Sequence, residues 1–167
     1  ALSRYGESKP QMLETIQIQP NLWPTSAVID WYNILERTPS IVGRTDRMKE
    51  AQQILRSRLS FQGTTMSFST EGNDYMWWLL TSPDMNAIRM TLAVMKNPDW
   101  RADLPRIMRG TIGRQRKGSW DLTLANAWGV LAVEKFASEF ERITVGGTTS
   151  ASLGDQTRKL DWSKARG

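Results

Sequence analysis

The chain has 167 residues, 40% hydrophobic and 23% charged, a composition that suits a globular protein with a core of about one domain. It contains no cysteine and no histidine, which excludes disulfides and cysteine nucleophiles and removes the commonest general base and transition-metal ligand. The net charge is +5, but the basic residues are scattered as on solvated helix faces; Arg106, Arg109, Arg114, Arg116 and Lys117 form their densest group.

The chain opens at Ala1 without an initiator Met, as expected of a segment cut from a longer polypeptide or of a processed terminus. Residues 1–24 carry three prolines and little periodicity, which predicts an irregular opening segment with one short turn around Met12 to Ile16. Thr25 or Ser26 then caps a first helix to Glu36, apolar nearly all round through Val28, Ile29, Trp31, Tyr32 and Leu35. Such a helix calls for burial.

Pro39 and Gly43 break the chain, and Thr45 caps a second helix with Met48, Ala51, Leu55 and Leu59 on one stripe and charged residues, Arg58 among them, opposite. Between Thr64 and Thr81, Met66 and Phe68 alternate with polar residues, Glu71-Gly72-Asn73 reads as a turn, and Tyr75, Trp77 and Leu79 alternate again. This pattern predicts a β-hairpin, with a short helix over Asn73 to Leu80 as the alternative.

Ser82-Pro83-Asp84 supplies a cap, a proline at the first helical position and an early acid, the signature of a third helix, to about Lys96, whose apolar residues cover most of its circumference. A fourth, amphipathic helix spans Asp103 to Gln115 with Leu104, Ile107, Met108 and Ile112 inward. Asp121 or Thr123 caps a fifth, in which Leu124, Ala125, Ala127, Trp128, Leu131, Ala132 and Phe136 form another apolar rod that should be buried. After Phe140, Ile143 to Val145 and Thr148 to Ser150 read as strands around Gly146-Gly147, with a third strand over Lys159 to Trp162.

Helices thus alternate between buried and one-sided, and the buried ones begin near Ser26, Ser82 and Asp121, 56 and 39 residues apart. That order predicts a mainly α fold: a partial α/α toroid of paired inner and outer helices, with a β-hairpin insertion and a short β tail. The division expected is 1–24 as the opening segment, 25–139 as the helical domain and 140–167 as β strands belonging to an adjacent domain.

Gln115, Gly118 and Trp120 have the spacing found in triterpene cyclase repeats, where the role is structural: Gln115 satisfies a helix end, Gly118 permits a turn and Trp120 packs beneath. Asp30, Glu36, Asp74, Asp84, Asp99, Asp121 and Glu134 are the acids available for paired-carboxylate chemistry. Asp84, Asp99 and Asp121 lie at helix starts or turns, where capping explains them, and Asp30 beside Trp31 calls for an arginine partner. No phosphate loop, nucleophile elbow or metal-ligand spacing occurs, so no catalytic, cofactor or metal residue is assigned. The methionines fall mostly on buried stripes.

The stretch from Asp99-Trp100 to Phe136 resembles bacterial alpha-2-macroglobulins. The matching residues are Leu104-Pro105-Arg106-Ile107-Met108-Arg109-Gly110, Gly118-Ser119-Trp120-Asp121-Leu122-Thr123-Leu124-Ala125-Asn126-Ala127-Trp128-Gly129, and Leu131 to Phe136. Tyr75 to Asn86 and Gly147 to Gly154 are similar to the same family. The resemblance implies an α/α toroid of the thioester-bearing type in a secreted or periplasmic protein that traps proteases by conformational change. The implied partners are other domains of a parent chain and target proteases, with no nucleic acid, no cofactor and no catalysis by this segment; membrane anchoring would reside in parent regions outside it. The absence of cysteine departs from the family's Cys-Leu-Glu-Gln motif: either the thioester segment lies upstream or the parent lacks the bond. A toroid enzyme acting on a terpenoid or glycan is the rival reading, and it requires a cavity lined by two or more unpaired carboxylates; a nucleic-acid-binding helical repeat, which requires one continuous basic face, is the third.

Overall fold

The computed structural model describes residues 2–141 and 146–163. Three 3-10 turns, Leu2–Tyr5, Pro10–Leu13 and Pro20–Leu22, occupy the proline-bearing opening segment. The turn expected near Met12 is present, closed where the Thr15 hydroxyl donates to the Met12 carbonyl at 2.9 Å.

α1 (Thr25–Arg37) buries Val28, Ile29, Trp31, Tyr32 and Leu35, as its all-round apolar sequence requires. Its start is held differently from expectation. Neither Thr25 nor Ser26 caps it; the N-cap position is Pro24, and the Thr25 amide donates instead to Asp74 Oδ2 at 3.1 Å. α2 (Arg44–Arg58) begins after Gly43, whose φ of +65° suits glycine, so Thr45 is not its cap. The Arg44 guanidinium turns back to the last carbonyls of α1, donating from Nε to Leu35 O at 2.5 Å. The buried side of α2 is Ala51, Ile54, Leu55 and Arg58, so Arg58, assigned to the wet face, lies inside, and Leu59 has left the helix.

Leu59 opens β1 (Leu59–Gln62), which pairs antiparallel with β2 (Thr65–Phe68) in the register Leu59 with Phe68 and Phe61 with Met66. The hairpin therefore exists but sits earlier than the alternation suggested: Gly63, at φ +60°, makes its turn. Residues expected to form its second strand, Tyr75 to Leu79, instead carry a 3-10 turn at Trp77–Leu79. Met66 and Phe68 are buried while Trp77 and Leu79 are exposed, so the period-2 pattern over 75–79 has no sheet beneath it.

α3 (Pro83–Val94) starts as its sequence dictates, with Ser82 Oγ accepting from the Met85 amide at 3.1 Å. It buries Met85, Asn86, Ala87, Ile88, Met90, Thr91, Ala93 and Val94. α4 (Leu104–Ile112) buries Leu104, Ile107, Met108, Gly110 and Thr111 and ends before Gln115, leaving Ile112 exposed. α1 touches α2 and α3, α3 touches α4, and α4 lies against β2. Five of the eight methionines, Met66, Met85, Met90, Met95 and Met108, are in the core.

α5 (Thr123–Phe136) corrects the reading of a rod buried all round. Only Ala125, Gly129 and Ala132 are buried; Ala125 and Ala132 join Met85, Ile88 and Trp120 in one apolar cluster, whereas Ala127, Val130 and Val133 are exposed. The apolar sequence is present on both sides, but one side alone has a neighbour. The chain forms two compact units, Ala1–Val133 and Glu134–Gly167. In the second, a π-helical turn (Ala137–Glu141) is followed by β3 (Thr148–Leu153) and β4 (Gln156–Asp161), paired antiparallel around Gly154, at φ +58°. The strand expected over Ile143 to Val145 lies outside the described residues. The fold is thus mainly α with two small antiparallel sheets among the described residues, none of whose helices is long and apolar enough to cross a membrane.

Candidate functional site

Glu71, Asp84, Asp121 and Arg114 converge where α4 ends. Arg114, two residues beyond α4, points inward with its side chain 10% exposed. Its Nη1 donates to Glu71 Oε1 at 2.8 Å and Nη2 to Glu71 Oε2 at 3.2 Å, a bidentate fork. Nε donates to Asp84 Oδ1 at 2.7 Å, and Nη1 also donates to the Met66 carbonyl of β2. Burial works against the guanidinium charge, but the hydrogen bonds and charges of Glu71 and Asp84 outweigh it and hold its pKa above the ordinary value.

The network continues past Arg114. Asp84 Oδ2 accepts from the Asp121 amide at 3.2 Å, and Asp121 Oδ1 accepts from Ser82 Oγ at 2.9 Å. Burial raises the Asp121 pKa, the Asp84 charge adds to the rise, and the Ser82 hydrogen bond opposes it. Above the network lies a cleft of about 700 Å³ lined by Glu71, Tyr75, Asp84, Arg114, Arg116 and Asp121, with Trp120 in its wall.

Trp120 is fixed on all its polar atoms. Its Nε1 donates to Thr111 O at 2.9 Å, its amide donates to Asn126 Oδ1 at 3.0 Å, and its carbonyl accepts from Asn126 Nδ2 at 2.9 Å. The expected turn is formed by an Arg116–Ser119 bridge with Gly118 at φ +81°, and Trp120 packs beneath it. The Gln115 side chain makes no hydrogen bond to a helix end among the described residues; the side chain that ties elements together here is Arg114, through Glu71, Asp84 and the Met66 carbonyl of β2.

The remaining acids have separate positions. Asp30 pairs with Arg89 across α1 and α3, as its setting required. Asp74, 2% exposed, accepts from the Thr25 amide at 3.1 Å and from Thr70 Oγ1 at 2.5 Å, capping α1 from 49 residues away. Arg58 adjoins this cap, donating to Thr25 Oγ1 at 3.2 Å and Asn21 O at 3.1 Å; burial lowers its pKa and the Asp74 charge opposes that shift. Asp99 Oδ2 accepts from Gln52 at 3.4 Å, and the cap of its own turn is the Asn97 side chain. Glu36 is half-buried and Glu134 exposed. Asp84 lies in the first turn of α3 and Asp121 at the bend before α5, as expected, but both carboxylates also belong to the Arg114 network.

This arrangement ties β2, the start of α3 and the segment between α4 and α5 together. Glu71 and Asp84 are ion-paired with Arg114, and Asp121 is hydrogen-bonded to Ser82. Among the described residues no three carboxylates are grouped to hold a metal ion. The basic group is dispersed as well: Arg114 is inside, while Arg106 lies over the Phe61 ring at 4.2 Å. The hub role of Arg114 and Glu71 had no local signature, because the partners are 43 residues apart. The chain matches no protein-family model, no curated protein and no solved structure.

Proposed function

We propose that this chain is a structural and interaction segment of a bacterial alpha-2-macroglobulin-like protein, periplasmic or secreted, which contributes to protease trapping through conformational change of its parent. In this reading it is part of an α/α toroid, with α1, α3 and α5 as inner helices and α2 and α4 as outer ones. The observation that carries the reading is the one-sided packing of α5. Its inner side joins the α3 cluster, while Val130, 65% exposed, stands on the side where the alternation calls for a further outer helix. The Arg114 network supports it too: Glu71 and Asp84 pair with Arg114 and brace three segments of a scaffold. The partners are then other domains of the parent and its target proteases. The scattered, partly engaged basic residues favour neither nucleic acid nor a catalytic cleft.

The test uses the full-length parent incubated with an active serine protease. Trapping predicts that cleavage of a large protein substrate falls while hydrolysis of a small chromogenic peptide persists, because a cage excludes the one and admits the other. Equal activity towards both substrates before and after mixing would sink the proposal.

A further inference from the structure

The tryptophans do not all find the packing partners their number requires. Trp31, Trp100 and Trp120 are core residues, but Trp77 and Trp78 are 59% and 64% exposed, followed by Leu79 at 64% and Leu80 at 57%. Tyr75, half exposed, precedes them. Scattered apolar residues on a surface need no explanation, but a run of this size marks a contact site.

Three features define what that contact is. The loop is built to hold its shape: Met76 and Thr81 exchange backbone hydrogen bonds at 3.1 and 3.2 Å, Leu79 N donates to Met76 O at 2.9 Å, and Leu80 N donates to Trp77 O at 2.8 Å. Those bonds satisfy four amides internally, which lowers the cost of entering a medium poor in water. Its base is anchored by buried Asp74, Thr81 and Ser82. Second, the four successive exposed side chains Trp77 to Leu80 surround one 3-10 turn, with Leu80 at φ +55° and the Trp77 and Trp78 rings edge to face at 6.2 Å, so the two indoles form one apolar tip. Third, no charged residue lies between Asp74 and Asp84, while the exposed Arg116, next to exposed Lys117, lines one cleft with Tyr75, where the charges of Glu71 and Asp84 are paired with Arg114, and Asp121 is the remaining acid. Trp and Tyr with an apolar body and a polar edge, beside cations, match the boundary between lipid headgroups and acyl chains.

We propose that the Tyr75–Leu80 loop is an interfacial anchor that inserts into the headgroup and acyl boundary of an anionic lipid bilayer, with Arg116 and Lys117 meeting lipid phosphates. It stands independently of the family reading and places membrane contact on this chain rather than on regions outside it.

The test is flotation of the 167-residue chain with vesicles of about 3:1 phosphatidylcholine to phosphatidylglycerol, read as bound fraction against lipid concentration. The wild type is expected to float with the vesicles. The variant W77S/W78S is expected to bind at least about tenfold more weakly with an unchanged thermal transition, since neither indole contributes to the core. The variant R116E/K117E is expected to lose affinity for these vesicles and to keep its affinity for pure phosphatidylcholine. A wild type that stays unbound at every lipid concentration overturns the proposal, as does W77S/W78S floating as well as the wild type. If the wild type ignores lipid but self-associates, and W77S/W78S restores the monomer, the loop serves a protein contact and the proposal is overturned.

Discussion

Trp120 fills the space that a side chain at Gly129 would need: a methyl group built on Gly129 would lie 2.2 Å from Trp120 Cζ3. The indole cannot easily retreat, because Thr111 and Asn126 hold its nitrogen and backbone. The approach of α5 to the Arg116–Ser119 turn region therefore depends on a glycine inside a helix, where the residue is otherwise unfavourable.

Gly129→Ala is the direct consequence. Helix propensity alone would favour alanine by about 1 kcal/mol, whereas overpacking against a fixed ring costs about 1–3 kcal/mol. The expected net result is a loss of about 1 kcal/mol with an altered near-ultraviolet dichroism of Trp120. Urea denaturation measures the balance, and a variant at least as stable as wild type would mean that the ring yields.

Arg114→Met should cost about 3 kcal/mol, because it strands the partly buried Glu71 and Asp84 carboxylates and the Met66 carbonyl at once. Arg114→Lys should fall between the two, since an ammonium cannot reproduce the bidentate fork. The readout is the denaturation midpoint at constant slope. Full stability of Arg114→Lys would contradict the fork as the reason for arginine.

Asp74→Ala removes the group that binds the first amide of α1 and the Thr70 hydroxyl. A loss of about 2 kcal/mol is expected, concentrated at one helix end. Hydrogen exchange should quicken at Thr25 to Val28 well before the rest of α1. Uniform change along the helix would show that Asp74 acts through general stability and not as a cap.

Asp121→Asn tests the raised pKa. A carboxyl whose folded pKa lies above its unfolded value adds stability that is fully present below the unfolded pKa and is lost as pH rises through the folded one. At neutral pH the charged form stands in a partly buried site near Asp84, so Asn, which still accepts from Ser82, should melt slightly higher. As pH falls below the ordinary carboxylate range the wild-type side chain becomes neutral and the two transition temperatures should meet. A gap that widens on acidification would reverse the assigned direction.

Several features were legible in the residues themselves. Ser82-Pro83 announced α3, the apolar circumference of residues 27–35 announced a buried α1, and Gly118 with Trp120 announced a turn above a packed indole. Each of these rests on groups within a few residues of one another, where periodicity and capping chemistry operate. The hairpin misplacement has the opposite origin. Tyr75, Trp77 and Leu79 alternate as a strand would, but alternation does not specify a partner, and β2 pairs with Leu59–Gln62 instead.

The sequence by itself determined the mainly α character of the chain and the alternation of all-round and one-sided burial through α4, because these follow from side-chain hydrophobicity at helical spacing. The tertiary structure alone decided that Asp74 caps a helix 49 residues away, that Arg114 joins residues 30 and 43 positions distant, and that α5 is covered on one side. The physical reason is that an ion pair or a helix cap requires only proximity in space. Two side chains that meet across a fold leave no period in the chain, and an apolar surface records a need for cover without saying whether a neighbour supplies it.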